Sequence, residues 1–545
     1  MELRVCLVTP FAWSQPHEVN EHVDAVAREL RRLGHHVTVL APSSRARDLR
    51  EGRRALQREL LPDVVALGPA MPISRRSRMG VPVGMRANLS LALSLGGFDV
   101  VHGFEPGLPS LSYLALRETA ALAVATFFSP DRLAYPLGKA QRDRLLARVD
   151  ALIATTPEVA EAARLRFPGD FKVIPRGVDA SLFRPGRKEQ RLVVEWDATE
   201  RPSIRASIRS LDDLPGWELI LLRTRPLSGR PSIPRRLRDR VHIRTALDAA
   251  SRAAVLAPAR VFVPAPGGSA GLRLEAAACG VEVRGGPDPG PATSYAEVAG
   301  ELDKLYRRLA SRRRSRPAEP ALADRDWILC DLHMHTHWSH DCSVEVDELL
   351  DYAEQQGLGA IAITDHNVFG GALEAVEKAR DRNLFVIPGE EIKTDNQGEV
   401  IGLFLREEIP RGMSFADTVA AVRAQGGLVF LPHPFDRRHA IPEPATLHRH
   451  LAEIDVFEVY NARLLFETYN DEALRFAEKY NLTMGAGSDA HVLPGVGTGA
   501  MSMRAFRNAE EFMISLHSAQ VLRRPKSLAY LQSLKWMAQV REKVR

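Results

Sequence analysis

The feature that most constrains this chain is a layout that occurs six times in its C-terminal part: an apolar run of strand length ends in a histidine, a carboxylate or, once, an asparagine and an arginine. WILCDLHMHTHWSHD (327–341) comes first, and AIAITDHN (360–367), LFVIPGEEI (384–392), GGLVFLPHPFD (426–436), VFEVYNAR (456–463) and TMGAGSDAH (483–491) follow. EVIGLFL adds Glu399 at its start. Segments with helical spacing lie between them: VDELLDYAEQQG, GALEAVEKARDR, FADTVAAVRAQGG and DEALRFAEKY. Strands alternating with helices predict an α/β barrel, whose sites gather at the C-terminal ends of the strands. Side chains alternate across a strand, so His333 and His335 share a face. A ring of buried titratable groups is costly unless cations compensate it, so the pattern predicts metal binding. One such ending is explained by a solvated loop; six are not.

Taken together, DLHMHTHWSHD, ITDHN, GEEI, LPHPFD and GSDAH resemble the motifs of the PHP (polymerase and histidinol phosphatase) superfamily, over about 327–510. That resemblance implies a distorted (β/α)7 barrel holding two or three divalent ions (Zn, Mn or Fe) and hydrolysing a small-molecule phosphoester. Carried over residue by residue, it implies that His333, His335, Glu391 and Asp489 hold a first metal. Glu391 would bridge to a second held with His433, while Asp341, His366 and His491 would hold a third. Glu399 stands where many relatives have a histidine; a harder, negative ligand there favours Mn or Fe over Zn. Asp365 would orient its neighbouring ligand, and Arg463 and Arg437 are placed to grip a phosphate or to form structural ion pairs. His337 and His340 read as rim residues, Glu390 as packing, and Cys342 as a free buried thiol.

The N-terminal part opens β-α-β: LRVCLVTP, then VNEHVDAVARELRRLGHH, then HVTVLAP. The alternation continues through FDVVHGFEP, ALAVATFF, ALIATT and FKVIPRGVD, breaks near 185, and resumes as LVVEW, WELILLR, RVHIR, ARVFVPA and VEVRG. PFAWSQPHEVNEHV, GHHVTVLAP, FEPGLPSLS, ATFF and IPRGVDASLFRP resemble retaining GT-B glycosyltransferases, most of all the phosphatidylinositol mannosyltransferase-like branch. The resemblance implies two Rossmann-like lobes with a nucleotide-sugar cleft between them. Several positions depart from it. His17–Glu18 replaces a diglycine, Phe128 a histidine, Trp196 and Pro202 two diphosphate-binding cations, and Gly267 the first of two glutamates, leaving Glu275. The expectation is a catalytically inactive GT-B module that scaffolds or binds a nucleotide, glycan or lipid.

The domain reading is therefore 1–185 and 186–310 for the two lobes, 311–326 for a charged linker, and 327–545 for the barrel. No apolar run approaches membrane-span length, no leader is evident, and the four cysteines form no CxxC pair, so a reducing cytoplasm is expected. The arginine clusters at 235–244 and 311–317 lack interleaved aromatics, which leaves nucleic-acid binding unsupported; the sequence does not specify an oligomer. An active transferase with an accessory barrel, and a metal-loaded regulatory protein without catalysis, are the competing readings.

Overall fold

In this computed structural model, residues 2–524 are described except for 75–76, 81–83, 197–200, 225–230, 266–269, 286–289, 291, 315–321 and 439. Gly267 and residues 315–321 of the expected linker lie outside that set. The chain divides into two compact units, Met1–Ala310 and Ser311–Arg545.

The first unit contains two open sheets with helices between their strands. In the first sheet, Arg4–Val8 is central, with His36–Ser43 on one side and Val100–Phe104 on the other, all parallel. Strand order reverses at this point, which in doubly wound sheets opens a crevice at the strands' C-terminal ends. The second sheet is parallel throughout and reverses at Arg191–Glu195, between Glu218–Arg223 and Val261–Val263. Helix Tyr295–Ala310 belongs by its contacts to the first sheet. His102 Nδ1 lies 2.6 Å from Tyr306 Oη, and His35 Nε2 lies 2.8 Å from Asp303.

The crevice between these lobes is lined by ion pairs. Glu18 and Glu21 occupy the first turn of helix Glu18–Arg32. Arg132 donates to Glu18 (3.1 Å) and to buried Glu105 (3.0 Å), and Arg176 donates to Glu18 (3.4 Å). Arg252 forks onto Glu21 at 3.2 and 2.7 Å, and onto Glu275 at 2.7 and 2.8 Å. Phe128 packs edge-on against His22 at 5.1 Å, and Arg223 stacks 3.8 Å over the buried Trp196 ring.

In the second unit the strands are β1 Trp327–Met334, β2 Leu358–Ile363, β3 Phe385–Lys393, β4 Glu399–Leu403, β5 Leu428–Leu431, β6 Val456–Asn461, β7 Met484–Gly487, β8 Gly499–Arg504 and β9 Gln520–Arg523. Their order in the sheet is β7-β6-β5-β4-β3-β2-β1-β8-β9. β7 returns to β1: the His335 N–H donates to the Ala490 carbonyl (3.1 Å) and the Asp489 N–H to the His333 carbonyl (2.8 Å). Seven strands thus curl into a nearly closed barrel, and β8 and β9 extend one side as antiparallel additions. Where a helix would join β3 to β4, the chain instead makes a hairpin, so β4 runs antiparallel to both β3 and β5. Gly398, at φ +84°, and the Thr394 hydroxyl, which donates to the Gly398 carbonyl, shape that turn. Cys330, Leu332, Ala360, Ile387, Ile401, Phe430 and Val456 pack in one apolar core.

Candidate metal centre

His333 and His335 stand at the end of β1 with no exposed surface, their ring centroids 5.3 Å apart. His366 follows β2, Glu391 lies in β3, Glu399 begins β4, His433 follows β5, and Asp489 and His491 follow β7. His433 (φ +25°) and Asp489 (φ +50°) adopt backbone conformations that few non-glycine residues take, and such strain concentrates at functional sites. Here it turns each side chain off its strand toward the centre.

Glu391 is the hub. Its Oε2 lies 3.3 Å from His333 Nε2, 3.5 Å from His335 Nε2 and 3.0 Å from His366 Nδ1; its Oε1 lies 3.0 Å from His433 Nε2. Asp489 Oδ1 is 3.4 Å from His335 Nε2 and 3.4 Å from His491 Nδ1. Asp341 reaches His491 Nε2 at 3.1 Å and His366 Nε2 at 3.7 Å, and Glu399 lies 3.8 Å from His433 Nε2. The nine expected ligand residues therefore form one connected cluster.

Arg463 enters this cluster, with Nη1 3.1 Å from Asp489 Oδ1 and 3.2 Å from His491 Nε2. Arg437 faces Glu472 at 3.9 Å. Asp365 is fully buried behind the ligands. Its carboxylate accepts from the Thr336 N–H and hydroxyl, both at 2.7 Å, and from the Ser339 hydroxyl at 2.6 Å. Ser339 in turn contacts His335 Nδ1, so Asp365 braces the turn below that ligand. Glu390 turns away to accept the Ile409 N–H, and burial pushes its carboxyl up to about 7. His337 faces Glu345, while His340 stands exposed with its ring 5.6 Å from that of His366. Cys342 is a buried free thiol bonded to the His335 and His491 carbonyls.

Two buried acids escape a reading based on strand ends. Glu458 lies within β6 and accepts from His333 Nδ1 (3.1 Å), the His433 N–H (2.6 Å) and Asn461 Nδ2 (3.1 Å). Asp331, in β1, accepts from the Ser488 and Gly497 N–H groups at 2.9 Å each, and burial pushes its carboxyl up to about 6. The only sequence signal for either is a lone acid inside an apolar run.

The electrostatics follow from packing opposite charges without water. Burial pushes Glu391 up, but His333 and His366 outweigh it and hold its carboxyl well below the usual range. Asp489 is likewise held low, by Arg463 and His333 against burial. Burial lowers His366 and His433, yet Glu391 carries each up to about 9. His335 behaves oppositely: burial, His491 and His366 keep it well below the ordinary imidazole value, so it is a neutral base. Its Nε2 is buried without a hydrogen-bond partner among the described residues, although two carboxylates lie near it. That atom, with four ligand triplets whose donor atoms each lie within 4.8 Å of one another, fits a divalent cation. Mixed imidazole and carboxylate donors suit Zn, Mn or Fe.

Three stretches match known families. Residues 331–481 match the PHP domain, 467–521 the PHP-associated region, and 19–182 glycosyltransferase family 4. An uncharacterised protein of Methanocaldococcus jannaschii is 42% identical over 171 residues, 31% of this chain and 67% of that one. A phosphatidyl-myo-inositol mannosyltransferase of Propionibacterium freudenreichii is 30% identical over 224 residues, 40% of this chain; the match spans only 56% of that enzyme. Among solved structures, a Bifidobacterium adolescentis protein described provisionally as a metal-dependent phosphoesterase is 19% identical over 33% of this chain and 90% of its own, with a TM-score of 0.26. The chain accordingly joins a glycosyltransferase family 4 region to a C-terminal unit that belongs to the PHP family.

Proposed function

We propose that the barrel hydrolyses a phosphate ester with two or three divalent ions held by His333, His335, Asp341, His366, Glu391, Glu399, His433, Asp489 and His491. The observation that carries this is the buried, unpartnered Nε2 of His335 between Glu391 and Asp489. Bound ions would supply Lewis-acid polarisation of a phosphoryl oxygen and a lower pKa for attacking water. The chain's own groups do the rest. Glu391 uses both carboxylate oxygens and so can serve two ions at once. His491 gives its Nδ1 proton to the Asp489 carbonyl (3.0 Å), which makes Nε2 the acceptor nitrogen; it takes the Arg463 Nη1–H at 3.2 Å and is the atom that would ligate an ion. Arg463 faces Asp489 at 3.1 Å and Asp341 at 3.9 Å, and once bound ions engage those two carboxylates its planar fork would turn to phosphate oxygens. Asp365 keeps the Thr336–Ser339 turn in place beneath His335. A phosphoester panel with Mn²⁺ tests the proposal. The parent chain should turn over at least one substrate, and Asp489→Ala or chelation should abolish turnover while the circular dichroism stays unchanged. Turnover surviving chelation refutes the metal-dependent route, and a wholly silent panel with ions bound favours the regulatory reading.

The glycosyltransferase-like unit reads as inactive in sugar transfer. Its cleft arginines are already neutralised by Glu18, Glu21, Glu105 and Glu275. Arg223 lies stacked on Trp196, at one of the two positions that lost a cation. Phosphate groups need such donors free, because charge-assisted contacts dominate their binding. Transfer or hydrolysis of a nucleotide-sugar by the Asp489→Ala chain would overturn this reading and favour a transferase with an accessory barrel.

A further inference from the structure

We propose that Glu458 is a positioning residue of the metal centre, one buried carboxylate that aims the metal-binding atoms of His333, His433 and Asp489. The inference rests on the metal-dependent reading above. Among the described residues the hydrogen bonds of Glu458 go to His333, His433 and Asn461, and it acts through them. A neutral imidazole carries one N–H. By taking the Nδ1–H of His333 at 3.1 Å, Glu458 leaves the Nε2 lone pair directed at the centre, 3.3 Å from Glu391. At His433 the same carboxylate accepts the main-chain N–H at 2.6 Å and so anchors the φ +25° turn that aims Nε2 at Glu391. At Asp489 the effect is relayed. Asn461 Nδ2 donates both to Glu458 Oε2 (3.1 Å) and to Asp489 Oδ2 (3.3 Å), leaving Oδ1 to face His335. Three ligands from three strands thus depend on one acid. A histidine whose second nitrogen is held by a carboxylate is better oriented and more basic as a ligand, and losing such a partner costs about 10–100-fold in metal affinity.

The test uses the full chain, stripped of metal and titrated with Co²⁺ against a chromophoric chelator, as parent and as Glu458→Gln. Glutamine keeps the shape but offers one acceptor oxygen to three donors. The expected result is about 10–100-fold weaker Co²⁺ binding and an altered cobalt absorption spectrum, while the ion-free variant melts with the parent. Parent-like affinity and spectrum overturn the inference. So does an affinity loss matched by an equal loss of ion-free stability, since that marks a merely structural role. If the variant does not fold, histidine ¹⁵N spectra of the Zn²⁺-loaded parent decide: protonated Nδ1 and metal-shifted Nε2 at His333 support the inference, and the reverse assignment overturns it. A parent chain that takes up no Co²⁺ refutes the proposed function itself, an outcome distinct from a parent that binds and a variant that binds equally well.

Discussion

At Gly487 the centre depends on an atom that is missing. A β-carbon there would stand 2.3 Å from His333 Cβ, 2.9 Å from the His333 nitrogen and 3.1 Å from Glu458 Oε1. The first two belong to a buried strand and cannot swing aside, so the strand or the ligand must move. Gly487→Ala should therefore lose metal and be destabilised by about 1–3 kcal/mol, the usual cost of overpacking. Metal content and thermal melting check this, and a variant that retains both would show β1 and β7 to be less tightly fixed than described. The same pair of strands shows what a sequence does and does not reveal about single residues. His333, His335, Asp489 and His491 are legible because they terminate apolar runs. Glu458 and Asp331 are not, because a single acid inside a run looks like an outward-facing position until neighbouring strands supply its hydrogen-bond donors.

Among elements, the charged stretch after residue 310 reads as a linker, yet its first residues are held firmly. The Arg314 guanidinium donates to the carbonyls of Leu451 (2.9 Å), Ala452 (3.3 Å) and Ile454, and its N–H bonds to the Tyr480 carbonyl (3.0 Å). Arg313 adds a bond to the Lys479 carbonyl at 2.8 Å. Arg313 and Arg314 thus strap onto their own unit. Removing the Arg314 head group leaves several carbonyls without a donor, so Arg314→Ala should destabilise that unit by about 1–3 kcal/mol, read as a lower denaturation midpoint. Helix Tyr295–Ala310 gives a parallel case. It follows the second sheet in sequence but packs on the first through His35 and His102, a long-range choice without a local signal.

The Tyr306 contact to His102 has a pH consequence within its unit. His102 also contacts the Thr126 hydroxyl at 2.6 Å, and burial pushes its imidazole down to about 3. His22 is lowered too, by burial and by Arg176. As pH falls below about 6.5, the unfolded chain gains protons at these sites that the folded chain refuses, so stability falls. The slope is at most about 1.4 kcal/mol per pH unit per histidine. Glu105, raised to about 7 by burial, acts in the opposite direction. Its folded form holds a proton that the unfolded form releases above its ordinary value, so acidification through that window favours folding. Two histidines against one carboxyl give a net loss on acidification. The unfolding transition of the first unit, followed in the full chain at neutral and mildly acidic pH, should show it, and His102→Gln should flatten the dependence; a first unit more stable in acid would contradict the assignment.

On the scale of the whole molecule, two compact units should unfold as separate events, and a ligand stabilises only the unit that binds it. Adding Mn²⁺ at about a hundred times its dissociation constant should stabilise the PHP unit by about 2.7 kcal/mol and leave the other transition in place. Calorimetry of the full chain distinguishes this from a shift of both. At this scale the α/β class and the barrel were legible, because periodicity is a local property repeated along the chain. The ion-pair network in the first unit was not. Glu18 and Glu21 are separated from Arg252 and Glu275 by more than two hundred residues, and no short pattern marks them as partners.

The hairpin between β3 and β4 has a consequence for how this chain can vary in length. Helical connections elsewhere in the barrel can gain or lose residues without altering the strands they join. Here Glu391 pairs across from Ile401 and Lys393 from Glu399, so both proposed ligand carboxylates hang on a single ribbon. Adding one residue within β3 or β4 would turn the residues beyond it to the opposite face, carrying a carboxylate out of the barrel. Insertions should therefore be tolerated at 395–397, the tip of the turn, and among relatives that keep the metal the paired strands themselves should be constant in length.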